Sequence, residues 1–162
     1  MSAILDLQLV SEHSGIPLEK EFQLWLDTLL SYQQLNNKEI TVRVVDDVEM
    51  QQLNQQYRGK DTSTNVLSFP FEMPEIGLPD GVHLEQSMSN FIGDVVICAQ
   101  VVTYESKEQN KIVEHHWAHM LIHGTLHLLG YDHIHEEDAL EMEGIEIAIL
   151  QKLAIDDPYQ NH

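Results

Sequence analysis

The sequence predicts an α+β domain: one small mixed sheet of about four strands packed with about five or six helices. Three observations carry this. Segments with period-two or β-branched character fall before residue 100. Helical periodicity dominates after it. The chain has 162 residues, 43% of them hydrophobic, enough for one buried core. Residues 1–155 are read as a single domain, and 156–162 as a short acidic tail expected to fray.

"ILDLQLV" (4–10) alternates apolar and polar residues, as a half-buried strand does. Pro17 opens a helical stretch to about Asn36, with Leu18, Phe22, Trp25, Leu26 and Leu29 on one face. "EITVRVVD" (39–46) is the clearest strand. "DVEMQQLNQQYRG" (47–59) reads as a helix with Val48, Leu53 and Tyr57 inward, stopped by Gly59. "TNVLSFPF" (64–71) is a strand whose Pro70 favours a sheet edge or a strand end. Residues 72–89 combine prolines and glycines without periodicity and read as a loop. "FIGDVVICA" (91–99) is a fourth strand, and helices follow at about 100–109, 111–129 and 136–155.

Composition narrows the function. Lys and Arg total 8 against 27 Asp and Glu, a formal net charge of -19. Broad nonspecific nucleic-acid binding is disfavoured, because phosphate binding needs clustered cations. A small cationic site within an acidic body remains compatible with it. Cys98 is the single cysteine, which excludes an intramolecular disulfide and suits a reducing compartment. Its setting in "GDVVICA" makes it a core strand residue. The start has no basic leader pattern, and no apolar run approaches about 20 residues. A cytoplasmic protein without a membrane span is expected.

"HGTLHLLGYDH" (123–133) carries three histidines and two glycines. On a helix over 111–129, His123 and His127 are i and i+4, one above the other. Zinc hydrolases present two imidazoles to one metal at this spacing. Gly130 can take a positive φ and end the helix sharply, bringing His133 round as a third ligand. Three protein ligands leave a fourth tetrahedral position open, the arrangement of catalytic sites. His115, His119, His123 and His127 also form a continuous stripe, so a pair at 119 and 123 is sterically possible. The bend at Gly130 favours 123 and 127. His119 then becomes a packed polar neighbour of the ligands, and His115 and His116 face solvent. Asp132 is a further neighbour.

The spacing matches zinc proteases of the metzincin type, but their general-base Glu is replaced by Gly124, which can neither take nor give a proton. Gly124 also costs about 1 kcal/mol of helix stability relative to Ala, which makes sense where something approaches the backbone closely. A second constellation, "YRGKDTSTNVLSFPF" (57–71), places Arg58 and Lys60 in a Gly-interrupted turn. A guanidinium there suits bidentate contact with a phosphate. Asp94, inside an apolar strand, either orients a ligand histidine or bonds backbone at a strand end.

Together, "YRGKDTSTNVLSFPF", "GDVVIC" and "HGTLHLLGYDH", followed by Met142 and Glu146, resemble the YbeY family of single-strand-specific endoribonucleases over about residues 39–150. The resemblance implies one zinc ion per chain on His123, His127 and His133, with the native metal open among Zn, Ni, Cu and Fe. It implies Arg58 and His123 as catalytic residues, with Lys60 beside Arg58 toward substrate. The implied activity is metal-dependent RNA hydrolysis in maturation of the 16S rRNA 3′ end and in ribosome quality control. The implied partners are rRNA, the small ribosomal subunit and ribosome-associated proteins. The acidity predicts weak affinity for naked RNA, sharply reduced by salt. A zinc metallopeptidase-like hydrolase with an atypical base, and a non-catalytic ribosome-assembly factor, are the competing classes.

Overall fold

The computed structural model describes residues 2–71 and 90–160. The loop expected over 72–89 lies outside the described residues. The elements run β1 (Ile4–Leu9), α1 (Glu19–Tyr32), β2 (Glu39–Val45), α2 (Asp47–Arg58), β3 (Val66–Pro70), β4 (Phe91–Cys98), α3 (Ala99–Glu108), α4 (Val113–Leu128) and α5 (Glu136–Lys152). The strands form one mixed sheet in the order β1-β2-β4-β3. β1 and β4 flank β2 in parallel, and β3 pairs antiparallel with β4. This is the expected α+β class.

Strand alternation divides the residues between two cores. Ile40, Val42 and Val44 of β2 and Val95 and Ile97 of β4 face α1, α4 and α5, and pack with Phe22, Leu26, Trp117, Leu121 and Ile149. On the opposite face, Val96 and Cys98 join Leu67 and Met50 in a smaller core. The α4 helix is buried over most of its circumference: Trp117, Ala118, Met120, Leu121, Ile122, Leu126 and Leu128 are in the core, and His116, His119 and Thr125 are buried as well. A helix of that kind belongs inside the molecule, and α4 is the central helix of the larger core.

Several boundaries move from their expected places. The first helix stops at Tyr32 because Gln34 and Asn37 take positive φ, and Ala154 does the same after α5. In α2 the inward residues are Met50, Leu53 and Asn54, whereas Val48 and Tyr57 are exposed. The reason is polar: the buried Asn54 amide donates to the Thr62 carbonyl at 2.8 Å, which ties the turn after the helix to its inner face. Pro70 ends an edge strand, where a missing N–H costs no ladder bond. Cys98 is a buried core residue, as expected. No helix among the described residues is long and apolar enough to cross a membrane.

Gly124 explains how α4 sits so low on the sheet. A Cβ built there would lie 2.8 Å from a Val95 methyl, 3.0 Å from a Val66 methyl and 3.2 Å from the Ser68 hydroxyl. The Ser68 hydroxyl donates to the Gly124 carbonyl at 2.8 Å. Alanine at 124 would regain about 1 kcal/mol of helix propensity. It would also overpack a stiff, β-branched surface, at about 1–3 kcal/mol. Gly124→Ala is expected to lower the unfolding free energy by about 1 kcal/mol in urea denaturation, and Gly124→Val by more. A gain in stability for the alanine variant would contradict this account of the packing.

Candidate metal centre

The last two turns of α4 present His123 and His127 on one side, their ring centroids 4.7 Å apart. The helix then ends as its sequence predicts. Gly130 takes φ +101°, and the Tyr131 N–H returns to the Leu126 carbonyl at 3.1 Å. That reversal brings the exposed His133 to 5.1 Å from His127 and 5.6 Å from His123, centroid to centroid. One nitrogen from each ring lies within 4.8 Å of the others, a group that could hold a metal ion.

The donor geometry fits a tetrahedral ion. The Nε2 atoms of His123 and His127 are 3.2 Å apart. Two imidazoles on one zinc, at about 2.0–2.1 Å and a tetrahedral angle, stand about 3.3 Å apart. The His123 ring is oriented by the protein: its Nδ1 lies 2.5 Å from Glu146 Oε1. An ionised carboxylate can only accept, which assigns the proton to His123 Nδ1 and leaves Nε2 with its lone pair. Burial, reinforced by His123 and His133 nearby, pushes the His127 pKa below its usual value, which favours the neutral, ligating form.

Glu146 is the residue that the spacing of the histidines alone does not reveal. It projects from α5 with no exposed surface. Its Oε2 accepts from His119 Nε2 at 2.9 Å and from the Tyr159 phenol. Burial by itself would raise the Glu146 pKa. The hydrogen bonds from His119 and His123 outweigh it and hold the carboxyl at about 2. His119, His123 and Glu146 also converge closely enough to be considered as a metal group. Their separations of 2.5 and 2.9 Å are those of hydrogen bonds, shorter than the spacing of two tetrahedral ligands. A sequence signal for Glu146 does exist: an acid on the same α5 stripe as Met142, Ile149 and Leu150, all buried.

The remaining expected residues separate clearly. Arg58, at the end of α2, shares one open cleft with His123, His127, His133 and Asp132. Its other wall is β3 and the turn before it, from Thr64 to Ser68, with Pro70. The cleft encloses about 560 Å³, within the range of about 300–1,000 Å³ typical of ligand sites. Lys60 is exposed and is not among the described residues that line the cleft. Asp132 accepts the Ile134 N–H at 3.3 Å within the turn. His119 is buried and bonds Glu146.

Asp94 does not join the cluster. In β4 it alternates with Gly93 and Val95, so it points to the opposite face of the sheet, beside Thr41, Arg43, Tyr57 and Phe69. Strand period alone puts it there. Burial raises its pKa, with Thr41 bonding it in opposition. His116 is also not solvent-facing: it is buried and bonds Glu105 at 2.9 Å. Glu105 in turn accepts from the Asn65 amide at 3.1 Å, tying the start of β3 to α3 and α4. The tail expected to fray, 156–162, follows the buried Ile155 and is held at Tyr159, whose phenol donates to Glu146.

A family model described as endoribonuclease YbeY matches residues 8–154. The chain belongs to the YbeY endoribonuclease family. Among curated proteins, the endoribonuclease YbeY of Colwellia psychrerythraea is 49% identical over 162 residues, covering 98% of each chain. Among solved structures, the solution structure of a Thermotoga maritima protein matches with a TM-score of 0.55 at 24% identity, covering 91% of each chain. That likeness speaks to the fold. Membership of the YbeY family makes this chain a nuclease of the hydrolase class acting on RNA. The histidine triplet, with a glycine where the metzincin spacing has its glutamate, lies inside the matched span.

His127→Ala removes the middle imidazole of the three. It is expected to abolish stoichiometric binding of a divalent ion, read by elemental analysis after gel filtration. A full complement of metal would show that the ligand set is wrong.

Proposed function

We propose that this chain is a metal-dependent, single-strand-specific endoribonuclease. It holds one zinc ion on His123, His127 and His133, and acts in the cytoplasm on the 3′ end of 16S rRNA and in ribosome quality control. The observation that carries this reading is that Arg58 and the three histidines line one cleft. When bound, such an ion supplies Lewis-acid stabilisation of the negative charge that builds on a phosphodiester under attack.

The chain's own residues supply the rest. Arg58, exposed at the end of α2, has the planar donor fork that grips two phosphate oxygens and stabilises charge as it develops. Lys60, two residues on and outside the cleft lining, is the second candidate for contact with the strand. His123 is held in one tautomer by Glu146, so its ring cannot swing away from the cleft. Gly124 provides no proton acceptor next to His123, and the close packing against Val95 and Val66 leaves no room for a glutamate there. This argues against the metzincin form of peptide hydrolysis, in which that position holds the base. Among the described lining residues of the cleft, Asp132 carries the only carboxylate.

The rRNA substrate and the ribosomal partners rest on the family resemblance, and the charge supports them. A chain of net charge -19 with one cleft arginine gains little from RNA phosphates. Placement by the small ribosomal subunit and by ribosome-associated proteins would supply the missing affinity. The same single arginine revises the expected salt dependence. One phosphate contact releases few counterions, so log affinity for single-stranded RNA should fall against log salt with a slope of about -0.7. A slope steeper than about -2, read by fluorescence anisotropy, would show that several cations engage the strand.

The deciding experiment compares metal-loaded protein on single-stranded RNA, duplex RNA and casein. Single-stranded RNA should be cut and casein left intact. Arg58→Ala, purified identically to control for contaminating nuclease, should keep its metal and lose cleavage by about 100-fold or more. Parallel loss of metal would sink the role given to Arg58, and cleaved casein would favour the peptidase reading.

A further inference from the structure

Beyond α5, the side chain of Tyr159 in the C-terminal segment reaches the histidine cluster. Tyr159 stands with its ring edge against His119, centroids 5.3 Å apart. Its phenol donates to Glu146 Oε2 and lies 3.1 Å from His119 Nε2. The segment is anchored before it by Ile155, which is buried. The Tyr159 N–H is capped by the Asp157 carboxylate at 2.8 Å, which fixes the local turn.

We propose that Tyr159 is a positioning residue for the metal centre: by holding Glu146 in place it keeps the His123 imidazole oriented for ligation. The inference rests on the three-histidine reading above and deepens it. The path consists of two hydrogen-bonded steps. Tyr159 and His119 occupy Oε2 of the carboxylate, and His123 Nδ1 occupies Oε1 at 2.5 Å. A carboxylate whose second oxygen is bound on two sides cannot rotate about its terminal torsion without breaking both bonds. The His123 ring is then held with Nδ1 protonated and Nε2 turned to His127. Without the phenol, Oε2 keeps only His119. The buried carboxylate gains freedom, and the tautomer that ligates through Nε2 loses part of its advantage. Outer partners of this kind typically change metal affinity by about 10–100-fold when removed.

Tyr159→Phe keeps the ring against His119 and deletes only the hydroxyl. Zinc affinity is measured by competition with a chromophoric chelator. The tautomer of His123 is read from its ring ¹⁵N shifts in the metal-free protein. Tyr159→Phe should bind zinc about tenfold more weakly, and Glu146→Gln about 10–100-fold more weakly. The double variant should be no weaker than Glu146→Gln alone, because both act through His123. The His123 signal should move away from the pure Nδ1–H form in Tyr159→Phe, which a merely structural tail contact would not produce. Wild-type affinity and tautomer in Tyr159→Phe would overturn the proposal. So would losses that multiply in the double variant, or a metal-free Tyr159→Phe that no longer folds. His127→Ala serves as the separate control. If it keeps zinc, the ligand reading fails, and the tautomer measurement still decides the role of Tyr159.

Discussion

The molecule depends on how closely one helix approaches the edge of one sheet. At Gly124, α4 comes near enough to β3 and β4 that no Cβ fits, and the Ser68 hydroxyl bonds directly to the helix backbone. That contact sets the height of His123 and His127 above the edge strand. Because β3 is an edge strand, the space beside it is open rather than filled by another strand. The cleft is therefore a product of sheet order and one glycine. The same glycine removes the residue that a metzincin-type hydrolase would use as its base.

Behind the cleft, the protein stabilises a buried negative charge. Glu146 has no exposed surface; burial opposes its charge, and the hydrogen bonds from His119 and His123 outweigh burial and hold its pKa low, while the Tyr159 phenol also donates to it. Taking a carboxylate out of water costs several kcal/mol unless its lone pairs are satisfied. Here they are satisfied by two histidines of α4 and a tyrosine of the C-terminal segment. The arrangement joins the end of the chain to its centre. It also makes the histidine cluster asymmetric: His123 is clamped by a carboxylate, and His133 rides on an exposed turn.

The charge distribution fits a narrow role for electrostatics. Most of the acidic side chains have no part in the cleft, where Arg58 is the one basic residue other than histidine among the described lining groups. Such a surface repels nucleic acid in general, and the cleft offers one guanidinium to a phosphate. Bulk electrostatic attraction then contributes little to binding a strand.

By itself the sequence determined the α+β class, the central helix, the turn at Gly130 and the three convergent histidines. All of these follow from local rules: the period of 3.6, the period of 2, and the freedom of glycine at positive φ. It also singled out Arg58 and Lys60, of which the structure brings Arg58 to the cleft of the histidines. Only the tertiary structure decided which acids belong to the site. Asp94 looked suited to orient a histidine, yet strand alternation turns it to the other face. Glu146 and Tyr159 sit 23 and 36 residues beyond His123 in the chain, and nothing local links them. Their meeting depends on how α5 and the C-terminal segment fold back over α4. A hydrogen bond between residues so far apart is set by packing, and packing is a property of the whole core.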